Sequence, residues 1–141
     1  MILLSGNLVV NNKKEIYLLY RKDHHFYETP GGKVKSEECK SLEKPSIPEL
    51  EVAARRELLE EVSGIIKIVS MQYFAVAHFH VPDGREAFAH KFITKVEGNL
   101  SPREDNFDSK KSGWIKIEKL SEYPISSDLK MLLSKIKDFF N

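Results

Sequence analysis

Glu57, Glu60 and Glu61 stand in the run Ala53-Ala54-Arg55-Arg56-Glu57-Leu58-Leu59-Glu60-Glu61, downstream of Pro30-Gly31-Gly32. At ~100° per residue the three carboxylates fall within about one third of a helix circumference. Like charges so close repel unless a cation sits among them. Their hard oxygens suit Mg²⁺, which typically bridges a few carboxylates to the phosphates of a substrate. The glycine pair allows sharp backbone geometry and close approach of main chain to a ligand. Helix and turn together describe a site for a divalent cation and a phosphate-bearing ligand, provided that the fold brings them face to face.

The chain that must do so has 141 residues, 41% hydrophobic and 30% charged, a size suited to one domain over 1–141 with its own core. Twenty-two basic residues against twenty-one acidic ones leave a net charge of +1, so the global field gives no reason to expect a nucleic-acid polymer or a membrane as partner. A homodimer stays open. The lone Cys39 rules out an intrachain disulfide and reads as a spectator in a polar loop. The apolar start, Met1 to Leu4, is too short for a signal segment or a membrane span, and a soluble cytoplasmic protein is expected.

Residues 1–10 and 15–20 read as two strands of a hairpin closed by the polar turn Asn11-Asn12-Lys13-Lys14. Phe26-Tyr27-Glu28 leads into the glycine turn, and 37–45 reads as an exposed loop without core residues. Ser46-Ile47-Pro48-Glu49 carries the marks of a helix start, and the helix runs to Val62 or Ser63 with Gly64 as its stop. Val52, Leu58, Leu59 and Val62 form its expected core stripe, interrupted by Glu51 and Arg55, an i,i+4 pair. Strands are expected at 65–81 and 87–96, joined by Pro82-Asp83-Gly84, and again at Trp114-Ile115-Lys116-Ile117 after a polar connection over 98–113. Leu129, Leu132, Leu133, Ile136 and Phe140 recur at helical spacing after Ser126-Ser127-Asp128. Mixed strands with two helices point to a layered α/β (α+β) domain.

At these residues the sequence resembles the Nudix hydrolases, whose box runs Gly, five residues, Glu, seven residues, Arg-Glu-aliphatic, one residue, Glu-Glu, one residue, Gly-aliphatic. Gly32 to Glu38 matches the first part, Arg56-Glu57-Leu58-Leu59-Glu60-Glu61 the catalytic core, and Gly64-Ile65 the close. Two departures stand out. Ten residues are inserted between Glu38 and Arg56, and one extra residue precedes Gly64. The first glutamate is therefore ambiguous: Glu38 matches by counting from the glycine, while Glu49 lies two helical turns before Arg56, a spacing that favours a pair between them.

The resemblance implies the Nudix fold, an α/β/α sandwich with a mixed β-sheet between helices. It also implies Mg²⁺-dependent hydrolysis of a phosphoanhydride, with Mn²⁺ as an alternative ion, in a nucleoside diphosphate linked to another moiety. Substrates of (d)NTP type rank slightly ahead of ADP-ribose, nucleotide sugars and dinucleoside polyphosphates. By the same resemblance Glu57, Glu60, Glu61 and the carbonyl of Gly31 or Gly32 ligate metal. Arg56 orients a glutamate, and Glu61, Glu104, Asp105 or Asp108 serves as general base. Gly31 and Gly32 border the substrate, and Ser127 or Asp128 lies where some nucleoside-triphosphate members read the base. The competing expectation is a Nudix-fold module that senses a nucleotide without cutting it, prompted by the stretched box.

The bland readings are plain ones. Arg56 is then an i,i+4 partner of Glu60. His78 and His80 alternate on a strand and are expected to be partly buried rather than ligating. Tyr20, Phe26, Tyr27, Phe79 and Phe107 are core or rim aromatics before they are base-stacking ones.

Overall fold

The computed structural model describes residues 1–141. Seven strands and two helices follow one another as β1 (Ile2–Val9), β2 (Glu15–Arg21), β3 (Phe26–Glu28), β4 (Gly31–Lys33), α1 (Ile47–Glu61), β5 (Val62–His80), β6 (Glu86–Pro102), β7 (Phe107–Lys116) and α2 (Ser127–Phe139). Short 3-10 turns lie at Ser36–Glu38 and Ile117–Glu122. No helix is long and apolar enough to cross a membrane.

The strands form two sheets. A mixed sheet has the order β4-β1-β6-β5, with β1 and β6 parallel, and a second sheet has the order β3-β2-β7. Helix α1 lies against β1, β4 and β5, while α2 packs on β5 and the second 3-10 turn. The largest core cluster, including Leu8, Ile16, Leu18, Ala77, Leu129 and Ile136, fills the space between the sheets and α2. A second cluster beneath α1 gathers Leu3, Val34, Leu50, Ala53, Ala54 and Phe92.

Several sequence expectations are corrected. β1 and β2 do turn at Asn11, whose Oδ1 accepts from Lys13 N and Glu15 N, but they are not a hairpin. Only Val10 and Ile16 bridge, and the strands enter different sheets. β1 is buried along nearly its whole length and has both edges taken by β4 and β6, so β2 has no edge to pair with. The 98–113 stretch is not a connection either. β6 continues to Pro102 and β7 begins at Phe107, so polar residues there mark strand ends that keep their ladders with side chains mostly exposed, Phe107 apart. The 37–45 segment does supply a core residue: Cys39 is buried beside Leu3 and Leu50.

Helix α1 ends at Glu61, and the chain passes without a loop into β5 at Val62. Gly64 is therefore not a helix stop. It sits in a sheet irregularity at φ +88°, facing Gly98 at φ +138°, and a Cβ on Gly64 would overlap the Asn99 carbonyl. Both glycines are required by their backbone and by their close approach. Gly64→Ala is expected to cost about 2 kcal/mol or more, read as a fall in the urea midpoint at unchanged slope.

Candidate active site

Ser46 caps α1 in a reciprocal box. Its Oγ accepts from Glu49 N, and the Glu49 carboxylate accepts from Ser46 N at 3.0 Å. The core face of the helix is Leu50, Ala53, Ala54, Leu58 and Glu61, not the stripe through Val52 and Leu59, both of which are exposed. Small alanines carry that face, which hid it from a count of large apolar residues. Glu51 and Arg55 form no ion pair with each other. Leu50 and Glu61 lie within ~20° of each other around the axis, so Glu61 extends the buried stripe and is only 8% exposed.

That placement sets the chemistry. Glu61 Oε1 accepts a 2.7 Å hydrogen bond from the Gly31 N–H. Burial pushes its carboxyl up to about 8, against the Gly31 bond, and the charges of Glu57, Glu28 and Glu104 push the same way as burial. The Glu57 carboxylate faces the same turn: a Cβ on Gly32 would come within 2.6 Å of it. Glu60 is 48% exposed and reaches Arg56 rather than the turn. Two of the three helix glutamates thus converge on the glycine bend, and Glu60 does not join them.

Arg56 organises the acids. Its Nε and Nη2 hold both oxygens of Glu38 at 2.7 and 2.8 Å, its Nη1 reaches Glu57 at 2.8 Å and Glu60 at 3.2 Å, and Nη2 also donates to Lys33 O. The Arg56 hydrogen bonds hold the Glu38 carboxyl below the usual range. Glu49, favoured from spacing, does not touch Arg56. It is spent on the Ser46 cap and on the Lys40 N–H at 2.8 Å. The ten inserted residues form an arch pinned at Glu38, at buried Cys39 and at Glu49, so the stretched box closes up in space.

The glycine turn is held from beneath. Asn7 donates to Pro30 O from its backbone at 2.8 Å and from its side chain at 3.2 Å, also donates to Ala54 O at 2.9 Å, and accepts from Thr94 Oγ1. A Cβ on Gly31 would meet Gly6 Cα at 2.6 Å, so strand and turn pack backbone to backbone. Beside the turn opens a cavity of about 460 Å³ bordered by Glu28, Gly31, Glu61, Lys91, Ser127 and Asp128, with Phe26 and Phe79 also on its wall. Burial pushes the Glu28 carboxyl up to about 7, despite the nearby Arg21. Burial acts against ionised Asp128 too, yet the charge and hydrogen bond of Lys91 hold it below its ordinary value.

The remaining candidates separate clearly. Glu104, after β6, bears on Glu61 through its charge, whereas Asp108 accepts from the Lys110 and Lys111 N–H groups. Asp105 is exposed and makes no ion pair. Ser127 lines the cavity as the first residue of α2, and the cap position belongs to Ser126. His78 is tied to Glu86 at 2.9 Å and stacks on Phe88, and His80 lines the cavity. Tyr20, Tyr27 and Phe107 are core. Sequence reasoning missed Asn7 and Lys91. Asn7 shares β1 with Ser5, and Lys91 follows His90 in β6, so neither stands out as a lone polar residue of its strand.

A divalent cation suits this donor set. Glu61 is a buried carboxylate without a cationic partner, Glu57 lies against the adjacent Gly32, and all the side-chain donors are hard oxygens.

The NUDIX domain family model matches residues 5–135. Among curated proteins none matches the chain. Among solved structures, MutT studied from Aliivibrio salmonicida and Vibrio cholerae has 24% identity and a TM-score of 0.71, with 99% of this chain and 98% of that chain covered. MutT from Methanosarcina mazei Go1 has 20% identity over 99% and 95% of the two chains, with a TM-score of 0.75. The NUDIX domain of Shewanella oneidensis NrtR, complexed with ADP ribose, has 12% identity over 100% and 89%, with a TM-score of 0.73. At those identities the likeness speaks for the fold, a mixed α+β arrangement shared with Nudix structures. With the family model spanning nearly the whole chain, and with the box residues assembled around one bend, the protein belongs to the Nudix hydrolases, enzymes that cleave pyrophosphate bonds with the help of divalent metal.

Proposed function

We propose that the chain hydrolyses the phosphoanhydride of a small nucleotide with Mg²⁺, (d)NTP-type substrates standing slightly ahead of ADP-ribose, nucleotide sugars and dinucleoside polyphosphates. The observation that carries this reading is the buried Glu61 carboxylate, bonded to the Gly31 N–H and open to the cavity. Glu57, Glu60, Glu61 and the Gly31 carbonyl would hold the ion. When bound, it neutralises phosphate oxygens, polarises phosphorus and lowers the pKa of attacking water. Arg56 keeps Glu57 and Glu38 in place, and the rigid turn sets where the anhydride lies. Glu61 or Glu104 takes the proton of the water. The cavity has the volume of a small-ligand site, and Ser127 on its wall would meet the base, since the Asp128 carboxylate is taken up by Lys91.

A nucleotide complex of the NrtR domain keeps ADP-ribose in the set to be tested. A screen of dNTPs, NTPs, ADP-ribose, nucleotide sugars and diadenosine polyphosphates with Mg²⁺ or Mn²⁺, reading the nucleotide products by ion-exchange chromatography, tests this reading. Turnover of a triphosphate is expected. Inactivity on every compound together with firm metal binding would favour a sensor. The insertion that prompted the sensor reading loops out and leaves the acids assembled, which speaks for catalysis.

The two candidate first glutamates give a clean contrast. Glu38→Gln is expected to lower kcat by about 10–100-fold because Arg56 loses its bidentate partner. Glu49→Gln should affect only the helix cap and leave steady-state rates at the wild-type value. Equal rates in both variants would remove the Arg56–Glu38 pair from the mechanism.

A further inference from the structure

We infer that Lys91 is a positioning residue for the Gly31 turn, a role that rests on the hydrolase reading above. Lys91 is 4% exposed in the middle of β6, the one buried lysine or arginine of the chain. Its Nζ donates to Thr29 Oγ1 at 2.7 Å and pairs with Asp128 Oδ2 at 2.7 Å. Thr29 is buried and immediately precedes Pro30-Gly31-Gly32, three residues without a polar side chain. Its hydroxyl is therefore the nearest side-chain handle by which the rest of the fold can grip the turn. Asn7 already fixes the Pro30 carbonyl from the α1 side. Lys91 supplies the second anchor from the α2 side, and Asp128, in the first turn of α2, holds the ammonium in register.

Stability is a poor explanation for this pair. Taking an ammonium and a carboxylate out of water is costly, and apolar side chains of similar volume serve a core as well or better. A two-point grip is what the site needs. The Gly31 N–H must meet Glu61 Oε1 at 2.7 Å, and Gly31 must pack on Gly6 with no room to spare. Lys91 Nζ lies close enough that a Cβ on Gly6 would meet it at 3.4 Å, so the same ammonium abuts the strand beneath the turn. Displacement of the turn by ~1 Å is enough to cost about 100-fold in rate.

The test uses Thr29→Val, Lys91→Met and the double variant Lys91→Met/Asp128→Leu, each measured for kcat, KM, melting temperature and Mn²⁺ affinity by electron paramagnetic resonance. Thr29→Val removes only the acceptor and keeps the shape and the ion pair. It is expected to lower kcat about 10–100-fold with KM within about threefold, and to weaken Mn²⁺ at least about fivefold. Lys91→Met leaves Asp128 buried and unpaired, so its melting temperature should fall. The double variant should recover that melting temperature and still show the low kcat. Wild-type kcat in the double variant, or wild-type kcat and Mn²⁺ affinity in Thr29→Val, would overturn the assignment and leave the pair a purely structural one. Should the wild type hydrolyse nothing, the hydrolase reading fails separately, and the Mn²⁺ affinities of the same variants still decide whether Lys91 sets the turn.

Discussion

Glu61→Gln is expected to lower kcat by about three orders of magnitude or more without unfolding the protein. The amide oxygen can still accept the Gly31 N–H, so the 2.7 Å contact between helix and turn survives the exchange. What is lost is negative charge at a buried position that faces the cavity. That charge is costly to the metal-free fold, because burial raises the carboxyl from 4.5 to about 8. A group raised in this way contributes stability below its unfolded value and loses it as pH climbs through the folded one. Between pH 4.5 and about 8 the metal-free wild type is therefore destabilised through Glu61, and a cation restores what is lost. At pH 8 and without metal, Glu61→Gln should melt at or above the wild-type temperature, while the gain on adding Mg²⁺ should shrink. Rate assays paired with melting curves in EDTA and in Mg²⁺ read both effects. An active Gln variant, or one that Mg²⁺ stabilises as strongly as wild type, would take Glu61 out of the metal site.

The fold was legible where local chemistry alone decides. Ser46, Pro48 and Glu49 announced the start of α1, and the spacing of Leu129, Leu132 and Ile136 announced α2, because caps and stripes are written within a few residues. Strand partners were not legible. Nothing within 1–20 says that β1 has both edges occupied by β4 and β6, which are distant in sequence, and so the polar turn at Asn11 suggested a hairpin that the sheets do not contain. The strand ends after Gly98 are hidden for a related reason: their ladders are satisfied by β5 and β2 whatever the polarity of the side chains.

The site divides along the same line. The carboxylates and the glycine bend were readable because helix periodicity and backbone freedom constrain them locally. The choice between Glu38 and Glu49 was not. Sequence distance to Arg56 favoured Glu49, but an arch of ten residues costs little more chain entropy than a short loop, so Glu38 reaches Arg56 across it. Lys91 and Asn7 came into view only once β6 and β1 were seen to run side by side under the turn. Residues from three separate elements must meet there, and no local pattern records that meeting.

The second large effect is expected at Arg56. If it were only a helix partner of Glu60, Arg56→Gln would cost no more than about 0.5 kcal/mol and leave the rate alone. Its geometry calls for more. One guanidinium serves Glu38, Glu57, Glu60 and the Lys33 carbonyl, and it is the only cation within salt-bridge range of those three acids. Without it, the side chains of Glu38 and Glu57, both largely buried, lose their cation, and the charge of Glu57 bears on Glu61. Breaking such a set by removing its cation is expected to cost about 2–4 kcal/mol, with kcat down about 100-fold as Glu57 drifts from the turn. Arg56→Lys separates charge from shape. It keeps a cation near Glu60 but cannot grip both oxygens of Glu38, so it should regain part of the stability and little of the rate. Urea midpoints with kcat for the two variants measure each component, and Mg²⁺ should rescue stability more in Arg56→Gln than in wild type, since the ion then supplies the missing positive charge. A Lys variant with wild-type kcat would mean that charge alone suffices and that the bidentate hold on Glu38 does not align the acids.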